Sequence, residues 1–426
     1  MLVIPIASDL YETLKGLAAT RRMIFMTGLP GTGKSLLIQQ LALLASEAGR
    51  QVHLLQYNLA REPFETTVNL AKYPELDGVT DPAIRKAVGL WARQAVQRWH
   101  QQNPDPAHLL IGELPLIGNR LIELVEKVDD PAAGLLSSEQ AMFVVPVPSW
   151  EVREVIEAQR AKTIANPQNE REKLDAPPNV LQALWQELNG LARQIGLTRT
   201  NPQTPYNPYI YGGVYQALLQ HRHSQLLLID QVLRPAQSVY ELAVVVSRLQ
   251  ADAAEVDQAM REIERRYTPE TLTEAIADWH AIITADPSPP DPGPALRLPL
   301  PENLTSLARP LPLNEAQRTA LRAILALPLE AGSAQALPVL DQALSTLMEG
   351  LDPGQVTAGV AKFDVYDSYF NVSRSADPNG LVFLAGLLQA YRNVLADLQT
   401  PPQTLTVIEM PLLRIALETS LSQFDI

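Results

Sequence analysis

Cysteine is absent from the 426 residues, which removes disulfides, thiolate nucleophiles and cysteine-ligated metals together. Long apolar runs are missing as well. No stretch approaches the roughly 20 residues that a membrane-spanning helix needs. The opening segment MLVIPIASDLYETLK has neither the basic n-region nor the long apolar h-region of a secretory signal. The expectation is a cytoplasmic protein with no membrane partner. Positive charge is also in short supply: 34 Lys and Arg against 47 Asp and Glu leave a net charge of -13, which argues against wholesale binding of nucleic acid. The six histidines, 53, 100, 108, 221, 223 and 280, form no convincing ligand set; His221 and His223 read better as a solvated helix end than as a metal site.

What is present is concentrated in the first two thirds. Of the 34 basic residues, 26 precede residue 285, so an anionic ligand finds its partners there. The stretch RMIFMTGLPGTGKSLLIQQ, residues 22–40, joins an apolar strand (23–26), a glycine-rich run and the start of an amphipathic helix. Gly28, Leu29, Pro30, Gly31, Thr32, Gly33, Lys34 and Ser35 have the spacing G-x-x-x-x-G-K-S. Glycines let successive amides point inward at phosphate oxygens, and the following helix adds the positive end of its dipole. Lys34 can reach the outer phosphates, and the Ser35 hydroxyl can ligate magnesium. The plainer alternative is a glycine turn with a surface lysine.

Four further apolar strands are expected at 51–57, 107–114, 142–148 and 225–230. Segments long enough for helical crossovers separate them, which predicts an α/β fold: a parallel five-stranded sheet with helices on both faces. Helices are predicted over 8–20, 34–48, 82–100, 149–162 and 179–195, then as one long helix over 238–265 and another over 271–284. Residues 285–312 hold nine prolines and read as a semi-rigid linker or strap. Helical patterns at 314–327, 335–349, 380–398 and 411–422, with a possible strand at 405–409, suggest a mainly helical C-terminal domain without a visible catalytic constellation. The expected boundaries are 1–265 for the sheet domain with a lid insertion at about 150–215, 266–312 for a helix and linker, and 313–426 for the last domain.

Ligands of parallel sheets sit at the carboxyl ends of the strands, and the residues just after each strand carry the chemistry. Glu113 is the first candidate for a carboxylate beside magnesium or for a proton acceptor. Asp230 is its rival, and a helix-capping role is open to both. Arg153 and Arg160 follow the fourth strand and lead into the polar run RAKTIANPQNEREKLDAPP. That run has the character of a lid that brings cations to a migrating phosphoryl group; a solvated helix face is the alternative. Arg61 and Arg120 are candidates for anchoring an acceptor substrate.

On these motifs, residues 20 to about 250 resemble the P-loop NTPases of the nucleoside and nucleoside-monophosphate kinase group. The resemblance implies strand order 2-3-1-4-5, ATP and magnesium as cofactors, and transfer of the terminal phosphate to a small acceptor. Gly28, Gly33, Lys34 and Ser35 match the motif itself, Glu113 matches by its place after the third strand, and Arg153 and Arg160 match by position. Uridine-kinase-like members carry an aspartate at the end of the second strand, where this chain has Gln56-Tyr57-Asn58, and the adenylate-kinase-type signature after the third strand is missing. The leading expectation is therefore a magnesium-dependent phosphotransferase. An ATPase switch coupled to the C-terminal domain and a nucleotide-binding scaffold are the alternatives.

Overall fold

The computed structural model describes residues 2–284 apart from 77–78, 196, 198–202, 204, 236–237 and 242–243. It also describes 314–349 apart from 328–332, and four isolated positions beyond. By contact the chain divides into two units, Met1–Leu188 with Val214–Gly293, and Asn189–Gly213 with Pro294–Ile426.

The first unit is α/β. Its strands are β1 (Met23–Thr27), β2 (Gln51–Gln56), β3 (His108–Leu114), β4 (Ala141–Pro148), β5 (Ser224–Ile229) and β6 (Val246–Arg248). All pairings are parallel, in the order β5-β4-β1-β3-β2-β6. The expected five-stranded sheet is thus a six-stranded one. Three residues are too few for a periodicity to show, and β6 pairs with the outer edge of β2 at Val52 to Leu54.

Side chains alternate across each strand, and the two faces of β2 show how the sheet is covered. Val52 and Leu54 join Ile24, Met26, Leu109 and Ile111 in a core closed by α1 (Asp9–Thr20) and α2 (Lys34–Glu47), through Leu14, Leu17, Leu37, Ile38 and Leu41. His53 faces the other way, edge-on to Trp99 of the long helix Pro82–Gln102 at 5.6 Å. The interior strand β1 is buried at all five positions, and complete burial of a side chain such as Phe25 contributes about 1.5–3 kcal/mol. The Phe25 ring stacks on Phe143 at 4.8 Å and takes up the space over its register partner Gly112, where a Cβ would stand 2.4 Å from it.

The span 238–265 is not one helix. Ser238 and Tyr240 are engaged by Glu172 and Asp175, β6 follows, and the helix begins only at Ala253, where Asp252 and Glu255 close a reciprocal cap. The helix expected at 271–284 is two, Pro269–Ala277 and Ala281–Thr284. In the second unit, Glu315–Leu325 and Ser333–Met348 are helical and pack on each other. The proline-rich span 285–312 and the elements expected at 380–398, 405–409 and 411–422 lie outside the described residues, isolated positions apart.

Candidate phosphate-binding site

The chain leaves β1 toward β2 on one side, yet leaves β3 for β4 on the other. This opens a crevice at the carboxyl end of β1. Residues 28–33 fill it. Gly31 and Gly33 adopt φ of 76° and 83°, conformations that L side chains resist. Gly31 is confined as well: a Cβ there would lie 3.1 Å from both Arg153 Nη1 and Leu181 Cδ1. Gly33 precedes the first residue of α2, leaving the early amides of that helix directed at the crevice. Thr32 ties the turn by donating to the Leu29 carbonyl at 2.9 Å.

Lys34 opens α2 and is 5 % exposed. Its Nζ donates to the Gly28 and Leu29 carbonyls at 2.8 Å each, which folds the side chain back over the loop. Burial pulls its pKa down to about 8; the Glu113 carboxylate works against that pull, and the Arg160 and Arg153 charges add to it. Ser35 follows in the same turn, half-buried.

Glu113 sits on β3 in register with Met26 of β1 and Gln56 of β2, and accepts from Gln56 Nε2 at 3.2 Å. Asp230 lies exposed beyond the end of β5, a strand separated from β1 by β4. The position beside the loop therefore belongs to Glu113.

Ser149 caps the helix Trp150–Ala165 by accepting from the Val152 amide, which sets Arg153 in the first turn. Arg153 is 2 % exposed. It donates to the Pro30 and Gly31 carbonyls at 3.1 and 3.0 Å and pairs with Glu157 at 2.6 Å. It is part of the wall of the site rather than a mobile arm. Arg160, two turns on, pairs with Asp175 at 3.5 Å.

Gln56 stands at the end of β2, and Asp175 and Tyr240 are further neighbours that no sequence pattern marks. Asp175 accepts from the Tyr240 hydroxyl at 2.5 Å, and its charge, like that of Glu113, acts on Lys34. Burial, with Asp175 and Glu113 nearby, pushes the Tyr240 phenol upward, so it stays a donor. Glu172 accepts from Ser238 Oγ at 2.6 Å, and Gln39 of α2 donates to the Glu241 carbonyl at 2.7 Å. The turn 170–175 is thereby joined through 238–241 to the helix that carries Lys34. Asp175 lies among the cations of the polar run, with no periodicity to mark it.

Arg61 and Arg120 are brought to a second place, at the carboxyl ends of β2 and β3. Arg61 ends the short helix Tyr57–Arg61, binds the Thr80 hydroxyl and pairs with Glu65 at 3.2 Å. Arg120 donates to the Ile117 carbonyl at 2.9 Å.

A family described as SfmD 3-methyl-L-tyrosine peroxygenase matches residues 290–424. The matched stretch lies mostly outside the described residues. No curated protein and no solved structure matches the chain.

Proposed function

We propose that residues 1–265 form a P-loop NTPase domain of the nucleoside and nucleoside-monophosphate kinase type, which moves the terminal phosphate of ATP to a small-molecule acceptor. The observation that carries this reading is the seat of Lys34, whose ammonium bridges the Gly28 and Leu29 carbonyls with the Glu113 charge beside it. Loop amides and Lys34 would hold the phosphates, and Arg153 and Arg160 would balance charge on the migrating group.

Magnesium would be held by Ser35 and Glu113. Among the described residues no group of three or more His, Cys, Asp or Glu could hold a metal alone. An ion held by one hydroxyl and one carboxylate would take its remaining ligands from the phosphates and water. When bound, the metal supplies charge neutralisation at the phosphate oxygens. Glu113 also stands where a carboxylate could accept the proton of an attacking hydroxyl. A small acceptor is the partner in this reading, in the cytoplasm, without nucleic acid or membrane; no described helix is long and apolar enough to cross a bilayer.

The test is ADP release measured with and without hydroxyl-bearing or phosphorylated acceptors. Lys34→Ala is expected to abolish nucleotide binding or turnover, and Glu113→Gln to keep binding while losing turnover by about 100-fold or more. Full activity in the glutamine variant would remove Glu113 from the mechanism. Hydrolysis indifferent to every acceptor would favour the ATPase-switch reading, for which the link from the turn 170–175 through 238–241 to α2 is the structural support.

Peroxygenase chemistry is not carried over to residues 290–424. Oxygen chemistry of that kind is cofactor work, and the matched residues lie mostly outside those the structure describes. The similarity supports a shared segment, not a shared reaction.

A further inference from the structure

We infer that Arg61, Arg85 and Arg120 form the seat of an oxyanion carried by the acceptor, with the Tyr57 phenol as a donor to it. The assignment of this anion to an acceptor rests on the phosphotransferase reading.

Tyr57 immediately follows β2 and is 5 % exposed. Its hydroxyl is within reach of Thr80, whose hydrogen-bonding influence acts to lower its pKa, without reaching full hydrogen-bond geometry there. A buried hydroxyl held by one loose contact keeps hydrogen-bonding capacity for an entering ligand. Burial pushes the phenol upward, and the charges of Arg120, Arg61 and Arg85 all act on it in the opposite sense. Arg85, in the first turn of the helix Pro82–Gln102, is 8 % exposed. Its Nη1 donates to the Gly118 carbonyl at 2.7 Å while its Nε has no acceptor among the described residues. A Cβ on Gly118 would stand 2.8 Å from Arg120 Nη1 and 3.5 Å from Arg85 Nη1, so the two guanidinium groups flank one glycine.

The loop that presents Arg120 is strained and braced. Leu116, Asn119 and Leu121 adopt φ of 63°, 59° and 65°, at about 1–3 kcal/mol for each such non-glycine residue. Beneath them Lys86 pairs with buried Glu123 at 2.9 Å, and Asn119 Nδ2 donates to the same carboxylate at 3.0 Å. Strain of this kind persists where surrounding structure holds it, and it clusters where ligands are clamped. Like charges are gathered at the same time, since Arg120 acts on Arg85. The acids that face them are Asp81 toward Arg85, Glu187 toward both Arg85 and Arg120, and Glu65 toward Arg61. A carboxylate or phosphate entering between the guanidinium groups would satisfy planar donors that match its geometry.

The test uses the full chain with the glycine-rich loop first saturated by a non-hydrolysable MgATP analogue, so that a second anion cannot enter there. Inorganic phosphate and acetate are then titrated calorimetrically. One of them is expected to bind at one site per chain, and the stronger names the class. Arg85→Gln and Arg120→Gln are expected to weaken that binding at least tenfold, with analogue affinity held within about twofold. Tyr57→Phe removes only the hydroxyl, keeps the fold testable, and is expected to weaken binding about three- to tenfold. Binding of neither anion to the wild type, or equal binding by all variants, would overturn the seat while leaving the loop assignment intact. Failure of the analogue itself to bind would instead overturn the phosphotransferase reading, and the acceptor assignment with it.

Discussion

Lys34 carries the largest consequence of any single side chain here, because its burial is only partly offset by two carbonyl dipoles and the nearby Glu113 charge. With its pKa near 8 against an ordinary 10.5, the sign of the linkage is determined. Below pH 8 the lysine is charged in both folded and unfolded chains, and its burial costs stability. Between 8 and 10.5 the unfolded chain still holds the proton that the folded one has lost, and the contribution to stability rises with pH. Ligand binding has the opposite sense. Phosphates favour the charged form, so binding above pH 8 must take up a proton. The affinity for MgATP is expected to be flat up to about pH 7 and to fall toward tenfold per pH unit above pH 8, read by fluorescence titration of a labelled analogue. In Lys34→Arg, whose guanidinium does not titrate in this range, the fall near pH 8 should vanish; persistence of the same inflection would assign it to another group.

At the scale of elements, the strands were legible because a parallel sheet needs continuous apolar runs. Met23–Met26, Leu109–Ile111 and Met142–Val145 are such runs, with Gly28, Gly112 and Pro146 close after them. The glycine-rich turn before α2 was legible for a related reason, since its glycines and lysine are adjacent in sequence. Arg85 and Tyr57 were not, because their meeting requires the ends of β2, β3 and the helix Pro82–Gln102 to converge, and each looks locally like an ordinary helical residue. The same helix supplies Lys86, which braces the loop after β3. Its partners Glu123 and Glu126 more than offset the burial that works against its charge, so its pKa goes up. Lys86→Met would leave Glu123, 1 % exposed, as an unpaired buried acid. The expected loss is about 3–5 kcal/mol, seen as a lower urea midpoint. A double variant, Lys86→Met with Glu123→Leu, is expected to regain most of it. No recovery in the double variant would mean that the network's shape, rather than its charge balance, holds the loop.

For the molecule as a whole, the balance of charge opposes its own candidate ligand. A chain of net charge -13 repels an approaching nucleotide over distances set by the Debye length, about 30 Å at 0.01 M salt and about 10 Å at 0.1 M. The cations that would hold it act only at contact: Lys34 and Arg153 are 5 % and 2 % exposed, and charges so buried are screened little by salt. Long-range and short-range terms therefore separate in kinetics. Raising salt from about 0.01 to 0.1 M is expected to speed association of a fluorescent MgATP analogue in stopped flow, because the repulsive field is screened. The dissociation rate should change little, because the contacts are buried. An association rate that falls with salt would instead mean that an exposed basic face gathers the nucleotide, as in electrostatic steering, and that the site lies elsewhere than in this recessed loop.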